Sequence, residues 1–301
     1  MPANPMPAAE VEVTADLVRR LLAGQHPDLA RLPLKFLANG WDNVMFRIGD
    51  ELAARMPRRE LGAAILLHEQ RWLPALADRL PLPVPYPERT GHPALGYPWP
   101  WSVVRYLPGE PAADVPSLNL LDAAIAVGGF LGALHSPAPA GAPGNPFRGV
   151  PLAARADSFT RNLALLAGQV DEDAVLGVWS RALAAPVYDR APVWLHGDLH
   201  PANILVNEGR VSGVIDFGDI TAGDPANDLS VAWMLLPAEL HGAFRAAYQA
   251  AGGVADEATW TRARGWAVAL GVVFCAYSAD NPQLLRVGRR TLRALTGDKL
   301  L

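Results

Sequence analysis

The chain has 301 residues, half of them hydrophobic and 19% charged, with a formal net charge of −4. That is enough chain for one large domain or two lobes with real cores, and no basic run gives an electrostatic footprint for nucleic acid. A single cysteine, Cys275, excludes an internal disulfide and fits a reducing compartment.

The opening MPANPMPAAE lacks the basic start and apolar core of a signal peptide. It reads as a lead-in, and the protein is expected to be cytoplasmic. VTADLVRRLLAG has helical spacing, with Thr14 as its cap and Gly24 as its end. In KFLANGWDNVMFRIGDELAARMPRR, strand-like pieces flank NGWDN, and a second turn falls at Gly49 and Asp50. A helix is expected from about Glu60 to Leu80. PLPVPYPERTGHPALGYPWP is too rich in proline to be helical. WSVVRYL reads as a buried strand, stopped by PGEP. LLDAAIAVGGFLGALHS is a long apolar helix, followed by a loop and further helices to about Tyr188. Two short strands, VNE and VSGVID, interrupt the helical pattern, and about three helices finish the chain. GWAVALGVVFCAY is too short to span a bilayer, and Cys275 within it reads as a core residue.

The expected organisation is a strand-rich front lobe over 1–103, a connector at 104–109 and a helical back lobe over 110–301. Two unequal lobes suggest a ligand cleft between them.

The densest polar run is WLHGDLHPANIL, with His196, Asp198, His200 and Asn203 inside eight residues, followed by VIDFGD. Three readings compete. His196, Asp198 and His200 on one strand would make a metal-binding face, but Gly197 and Pro201 argue for a loop. A plain polar turn suits Asp and Asn, but leaves IDFGD unexplained. Phosphoryl transfer needs a carboxylate beside the attacking hydroxyl and two oxygen ligands for Mg²⁺. Asp198, Asn203 and Asp216 supply all three.

On these residues the chain resembles the aminoglycoside phosphotransferases, relatives of the protein kinases, from about Leu32 to the C-terminal helices. The resemblance implies a bilobal α+β kinase-like fold, with a small β-rich N-lobe and a larger, mainly helical C-lobe. It implies Asp198 as catalytic base, Asn203 and Asp216 as Mg²⁺ ligands, and His196 as an anchor of the catalytic loop. Asp228 would support that loop's backbone. Asp224 and Pro225 read as a helix start; His200 and Asp219 are ambiguous. In the front lobe, Asn39, Gly40 and Asn43 of NGWDN stand where the family's loop covers the phosphates. The usual strand lysine is absent: only Lys35 and Lys299 occur, and Arg55 is the sole replacement, in a string RMPR resembling those of macrolide phosphotransferases. Glu69 is its expected partner, ahead of Glu60. By position, Ala53 lies on the base, Val104 behind it, and the backbone of Arg105 and Leu107 beside it. The implied donor is ATP or GTP with Mg²⁺. The implied acceptor is a small molecule, aminoglycoside first and macrolide next, with metabolite kinase and nucleotide-binding pseudokinase as the other readings. Neither nucleic acid nor membrane is expected as a partner.

Overall fold

The N-terminal half is organised by a five-stranded antiparallel sheet built from β1 (Leu34–Asn39), β2 (Asn43–Ile48), β3 (Leu52–Pro57), β4 (Pro87–Gly91) and β5 (Trp101–Arg105), in the order β1-β2-β3-β5-β4. The computed structural model describes residues 8–40 and 42–297. The first seven residues of the lead-in, Trp41 of NGWDN and Lys299 lie outside the described residues. Strand alternation separates two faces. Val44, Phe46, Ile48, Ala54, Met56 and Val103 pack with Leu17, Val18, Leu21 and Leu22 of helix α1 (Ala15–Gln25). The opposite face carries Ala53 and Arg55, and faces the rest of the protein. β4 sits at the sheet edge, where proline costs no ladder hydrogen bond. This is how a proline-crowded segment still yields a strand.

Thr14 caps α1, its Oγ1 accepting from Leu17 N–H at 3.2 Å. Gly24 does not end it. The helix runs through Gln25, and His26 takes the cap position with its ring edge-on to Trp101. Helix α2 (Glu60–Ala77) stops short of Leu80, because Arg79 and Leu80 donate to carbonyls only three residues back and a proline-rich stretch follows.

β6 (Glu110–Pro111) opens the C-terminal half. Helix α3 (Leu120–Leu134) follows, then α4 (Ala156–Ala164) and α5 (Glu172–Leu183). Three short strands come next, β7 (Val193–Leu195), β8 (Ile204–Asn207) and β9 (Arg210–Val214), with β10 (Thr221–Gly223) pairing back onto β7. β7 and β10 are three residues long, too short to leave a periodic signal in the sequence. Helices α6 (Ala226–Leu229), α7 (Val231–Leu235), α8 (His241–Ala250), α9 (Glu257–Tyr277) and α10 (Pro282–Thr296) complete the chain. The larger core is built mainly by these elements, but Leu73 and Leu76 of α2 join it. Helix α2 thus ties the two halves together.

The glycines of α3 let it lie directly on α8. A Cβ at Gly128 or Gly132 would stand 2.5 Å from Phe244 O or 2.3 Å from Tyr248 O. This close packing sets His135, at the end of α3, beside Tyr248 and the loop that follows β7. Among the described residues, no helix is long and apolar enough to cross a membrane. Cys275 is half-buried in α9, and burial pushes its thiol up to about 11, which suits a packing residue and not a nucleophile.

Candidate active site

β7 delivers the chain into a loop held from beneath by one carboxylate. Asp228, fully buried in α6, accepts from the backbone N–H of His196 at 2.6 Å and of Gly197 at 3.0 Å. Burial alone would raise its pKa, but the hydrogen bond and charge of His135 outweigh this and hold it below the usual carboxylate range. Asn227 adds a bond from Nδ2 to Gly197 O at 2.8 Å. Gly197 has φ +88°, and a Cβ there would stand 2.2 Å from Asp219 O, so only glycine fits. His196 is buried. Its Nδ1 accepts from Asp198 N–H at 3.2 Å, which leaves Nε2–H to donate to Ile215 O at 2.9 Å. One imidazole therefore fastens the Asp198 turn to the end of β9.

Asn203 lies five residues on, after a short 3-10 turn. Its Nδ2 donates to Asp198 O at 3.0 Å, and its carbonyl accepts from Ile215 N–H at 2.9 Å. Asp216 follows directly, with φ +65° and ψ +66°. A left-handed backbone is sparsely populated for any residue with a Cβ, though aspartate tolerates it best. It turns the carboxylate toward Arg55. Asn203 and Asp216 offer two oxygen donors, a set that suits Mg²⁺, which completes its shell with phosphate and water oxygens. Among the described residues there is no cluster of three His, Cys, Asp or Glu side chains able to hold a metal unaided.

Arg55 is buried on β3. Its Nη1 lies 2.9 Å from Glu69 Oε2, and its Nη2 lies 3.3 Å from Asp216 Oδ1. Asn43, turned so that its amide oxygen faces Arg55, accepts from Nη2 at 3.2 Å and Nε at 3.3 Å. Burial pushes Glu69 up to about 7; Asp216 adds to the rise and Arg55 opposes it. Glu60 takes no part: it is exposed at the first turn of α2. Asn39 and Gly40 are not turned toward Arg55; Arg58 Nη1 donates to Asn39 Oδ1 at 2.8 Å and Gly40 O at 3.3 Å. Ala53 and Val104 are cross-strand partners, both buried. Tyr106 N–H donates to Glu51 O at 2.7 Å. By alternation, the peptide groups of Arg105 and Leu107 then point away from β3. The Arg105 side chain leaves the cleft to pair with Glu88 at 3.1 Å.

Sequence reasoning missed Arg148, in the loop before α4. Its Nη2 lies 2.5 Å from Asp198 Oδ1, and its Nε lies 3.3 Å from Asp219 Oδ2. His200 is buried. Its Nδ1 accepts from Ala202 N–H, and its Nε2 lies 3.5 Å from Asp198 Oδ2. Burial would raise the Asp198 pKa, but Arg148 and His200 outweigh it and hold the carboxyl far below its usual range. Beside Arg148 is a cavity of about 250 Å³, lined chiefly by Phe147, Arg155, Phe159, Asp219, Trp266 and Leu270. Asp219 lines it, whereas Asp157, Glu239 and Asp280 of the same half are exposed and do not. A larger hollow of about 460 Å³ lies at the β2–β3 turn, around Lys35, Arg47 and Asp50, and no catalytic-loop residue lines it. Asp224 starts α6, its Oδ1 accepting from Ala226 N–H at 3.0 Å. It also forms a buried two-pronged pair with Arg262, at 2.6 and 3.2 Å, that the sequence did not suggest.

Residues 33–266 match the phosphotransferase enzyme family. No curated protein matches the chain. Among solved structures, the GDP and kanamycin complex of APH(2")-IIia is similar at TM-score 0.64 and 20% identity, over 92% of this chain and 97% of that one. The apoenzyme of macrolide 2'-phosphotransferase MphH from Brachybacterium faecium is similar at TM-score 0.62 and 22% identity, over 93% and 97%. Macrolide 2'-phosphotransferase type I is similar at TM-score 0.58 and 22% identity, over 94% and 98%. At these identities the structures speak for the kinase-like fold, and the match over most of the chain's length decides the rest: the protein belongs to the phosphotransferase enzyme family.

Proposed function

We propose that this phosphotransferase moves the γ-phosphoryl group of ATP or GTP to a hydroxyl of a small molecule, and that the acceptor binds in the cavity beside Arg148. The observation that carries the reading is the meeting of Asp198, Asn203, Asp216, Arg55 and Glu69, drawn from four separate segments, in one connected polar site. Asp198 orients the acceptor hydroxyl and takes its proton as the oxygen–phosphorus bond forms and the bond to the β-phosphate oxygen breaks. Arg55, steadied by Glu69, forks onto donor phosphates, which an arginine does with two parallel N–H groups where lysine offers a point charge. Asn203 and Asp216 hold Mg²⁺, which when bound neutralises phosphate charge. Positioning and electrostatics supply most of the catalysis. Asn43 meets Arg55 at the mouth of the phosphate loop, while Arg58 holds the Asn39–Gly40 strand end. The peptide groups of Arg105 and Leu107 read the base, with Ala53 lying on it and Val104 behind it. His196 and Asp228 keep the catalytic loop in shape.

The family includes antibiotic kinases, and an antibiotic acceptor is our first reading, with a metabolite alcohol second. Within antibiotics, a cavity lined by aromatic and aliphatic side chains together with two guanidiniums and a single carboxylate favours a macrolide over an aminoglycoside. The test is growth inhibition of a sensitive bacterium expressing the protein or Asp198→Ala, across macrolides and aminoglycosides. Protection that needs Asp198 establishes an antibiotic kinase. Absence of protection by well-expressed protein turns the search to metabolite alcohols by nucleotide consumption. Nucleotide binding without phosphorylation of any acceptor would instead mark a pseudokinase.

A further inference from the structure

Asp219 and Arg148 line this cavity, and Arg148 bridges Asp219 to Asp198 of the catalytic loop. Two carboxylates at the edge of a small-molecule cavity are what a polycationic acceptor requires for its ammonium groups. Here the chain supplies the cation itself. Asp219 is further occupied by Asn145 Nδ2 at 2.7 Å. A second guanidinium, Arg155, lines the cavity and rests over the Phe147 ring at 5.4 Å. Among the described residues, no carboxylate lies within salt-bridge distance of it. Burial, with Arg148 and Arg161, pushes its pKa down, as expected of a cation placed beside other cations. The cavity therefore carries Arg148, engaged by two carboxylates at once, and Arg155, which among the described residues has no carboxylate partner.

Resting on the reading that this cavity receives the acceptor, we propose that Arg148 determines acceptor specificity: its guanidinium fills the place of an acceptor ammonium beside the reacting hydroxyl. The enzyme then discriminates against polycationic alcohols. Discrimination works through both signs. The carboxylates that would attract an ammonium are satisfied, and the guanidiniums repel it. When an acceptor hydroxyl takes its place on Asp198, Asp219 remains as the second anchor of Arg148.

The experiment is calorimetric titration of the full chain with kanamycin, a polycation, comparing wild type, Arg148→Met and Arg148→Lys. The neutral Met variant should bind kanamycin about tenfold tighter or more than wild type, because a freed carboxylate needs to contribute only about 1.4 kcal/mol for that ratio. The Lys variant, which keeps the charge but can hold only one of the two carboxylates, should gain clearly less than the Met variant. Adding Asp219→Asn to the Met variant should remove most of the gain. If Arg148→Met melts below the assay temperature, Arg148→Gln carries the same comparison. Wild type binding kanamycin as tightly as a folded neutral variant overturns the proposal. The cavity is tested separately by adding Ala269→Trp to fill it. Loss of the gain supports both inferences, whereas a gain that survives keeps Arg148 as the charge filter and overturns the cavity as acceptor site.

Discussion

Replacing Asp228 by asparagine tests the support of the catalytic loop. The wild-type carboxylate accepts from His196 N–H, Gly197 N–H, Asn227 Nδ2 and His135 Nε2, with every partner buried or nearly so. An asparagine has one oxygen and one NH₂ group. Whichever way it turns, the NH₂ faces two donors, one of them a backbone N–H, and at least that buried N–H is left without an acceptor. That costs about 1–3 kcal/mol, and the surviving bonds lose about 1 kcal/mol more with the charge. The sum is about 3 kcal/mol, or a fall in melting temperature of about 5–10 °C for a chain of this size. Asp198 is the next residue after Gly197, so the orphaned donor displaces the base as well. A displacement of ~1 Å costs about 100-fold in kcat. The assay is a thermal melt with steady-state nucleotide consumption on the same preparation, once an acceptor is in hand. A variant that melts within about 1 °C of wild type and turns over within about threefold of it would refute the argument that this carboxylate holds the loop.

Asp198→Ala should abolish acceptor phosphorylation while nucleotide affinity, measured by titration, stays within a few-fold; retention of most activity would remove Asp198 as the base. Arg262→Ala should lower stability by about 3–5 kcal/mol, because it leaves Asp224 buried and unpaired, and unfolding curves that superimpose on wild type would count against that pairing. Glu69→Gln should alter the pH dependence of stability. The folded-state pKa of Glu69 is raised to about 7 from an unfolded value near 4.5, so the folded protein binds the extra proton between these values and wild type loses stability as pH rises through that window. The melting temperature of wild type minus that of the variant should therefore fall from about pH 5 to about pH 7 and then level off; a difference that rises or stays flat contradicts the shift.

What the sequence made legible was whatever lies close along the chain. His196, Asp198 and Asn203 share one loop, and Asp216 follows the second strand of the β8–β9 hairpin into which that loop leads. Their spacing alone grouped them. The bilobal plan was equally legible, since a strand-rich half and a helical half differ in period. Arg55 and Glu69 were matched through the family resemblance, which calls for a basic residue on that strand and an acid on the helix after it. The rest depended on contacts across long stretches of irregular chain. Arg148 reaches Asp198 from fifty residues upstream, out of a loop of proline and glycine that has no period. His135 meets Tyr248 where α3 and α8 touch through glycines, and it reaches Asp228 of α6 from 93 residues upstream. β7 and β10 exist by pairing with each other, and three-residue strands carry no pattern of their own. Gly24 and Leu80 misled for a related reason: a helix ends where its last carbonyls find partners, and those partners are not in the local sequence.

Arginine recurs at the places where distant segments meet, in a chain with only two lysines among 26 basic residues. Arg55 joins α2 to the Asp216 turn; Arg148 joins the loop before α4 to the catalytic loop and to Asp219; Arg262 joins α9 to the start of α6 and, through Nη1, to Pro186 O. Each guanidinium serves two partners at once from a planar fork, an arrangement that a single ammonium cannot reproduce without losing one of them. The two ends of the reaction site are connected through these forks. Arg55 engages Asp216, the Asp216 turn is tied through Ile215 to both His196 and Asn203, and these in turn hold Asp198, whose carboxylate ends on Arg148. A phosphate group that draws Arg55 away from Asp216 therefore frees a carboxylate on the donor side, and an acceptor that draws Asp198 from Arg148 does the same on the other side. On each side one guanidinium already engages two carboxylates, so on the proposed function each ligand would have to replace a partner that the protein itself provides.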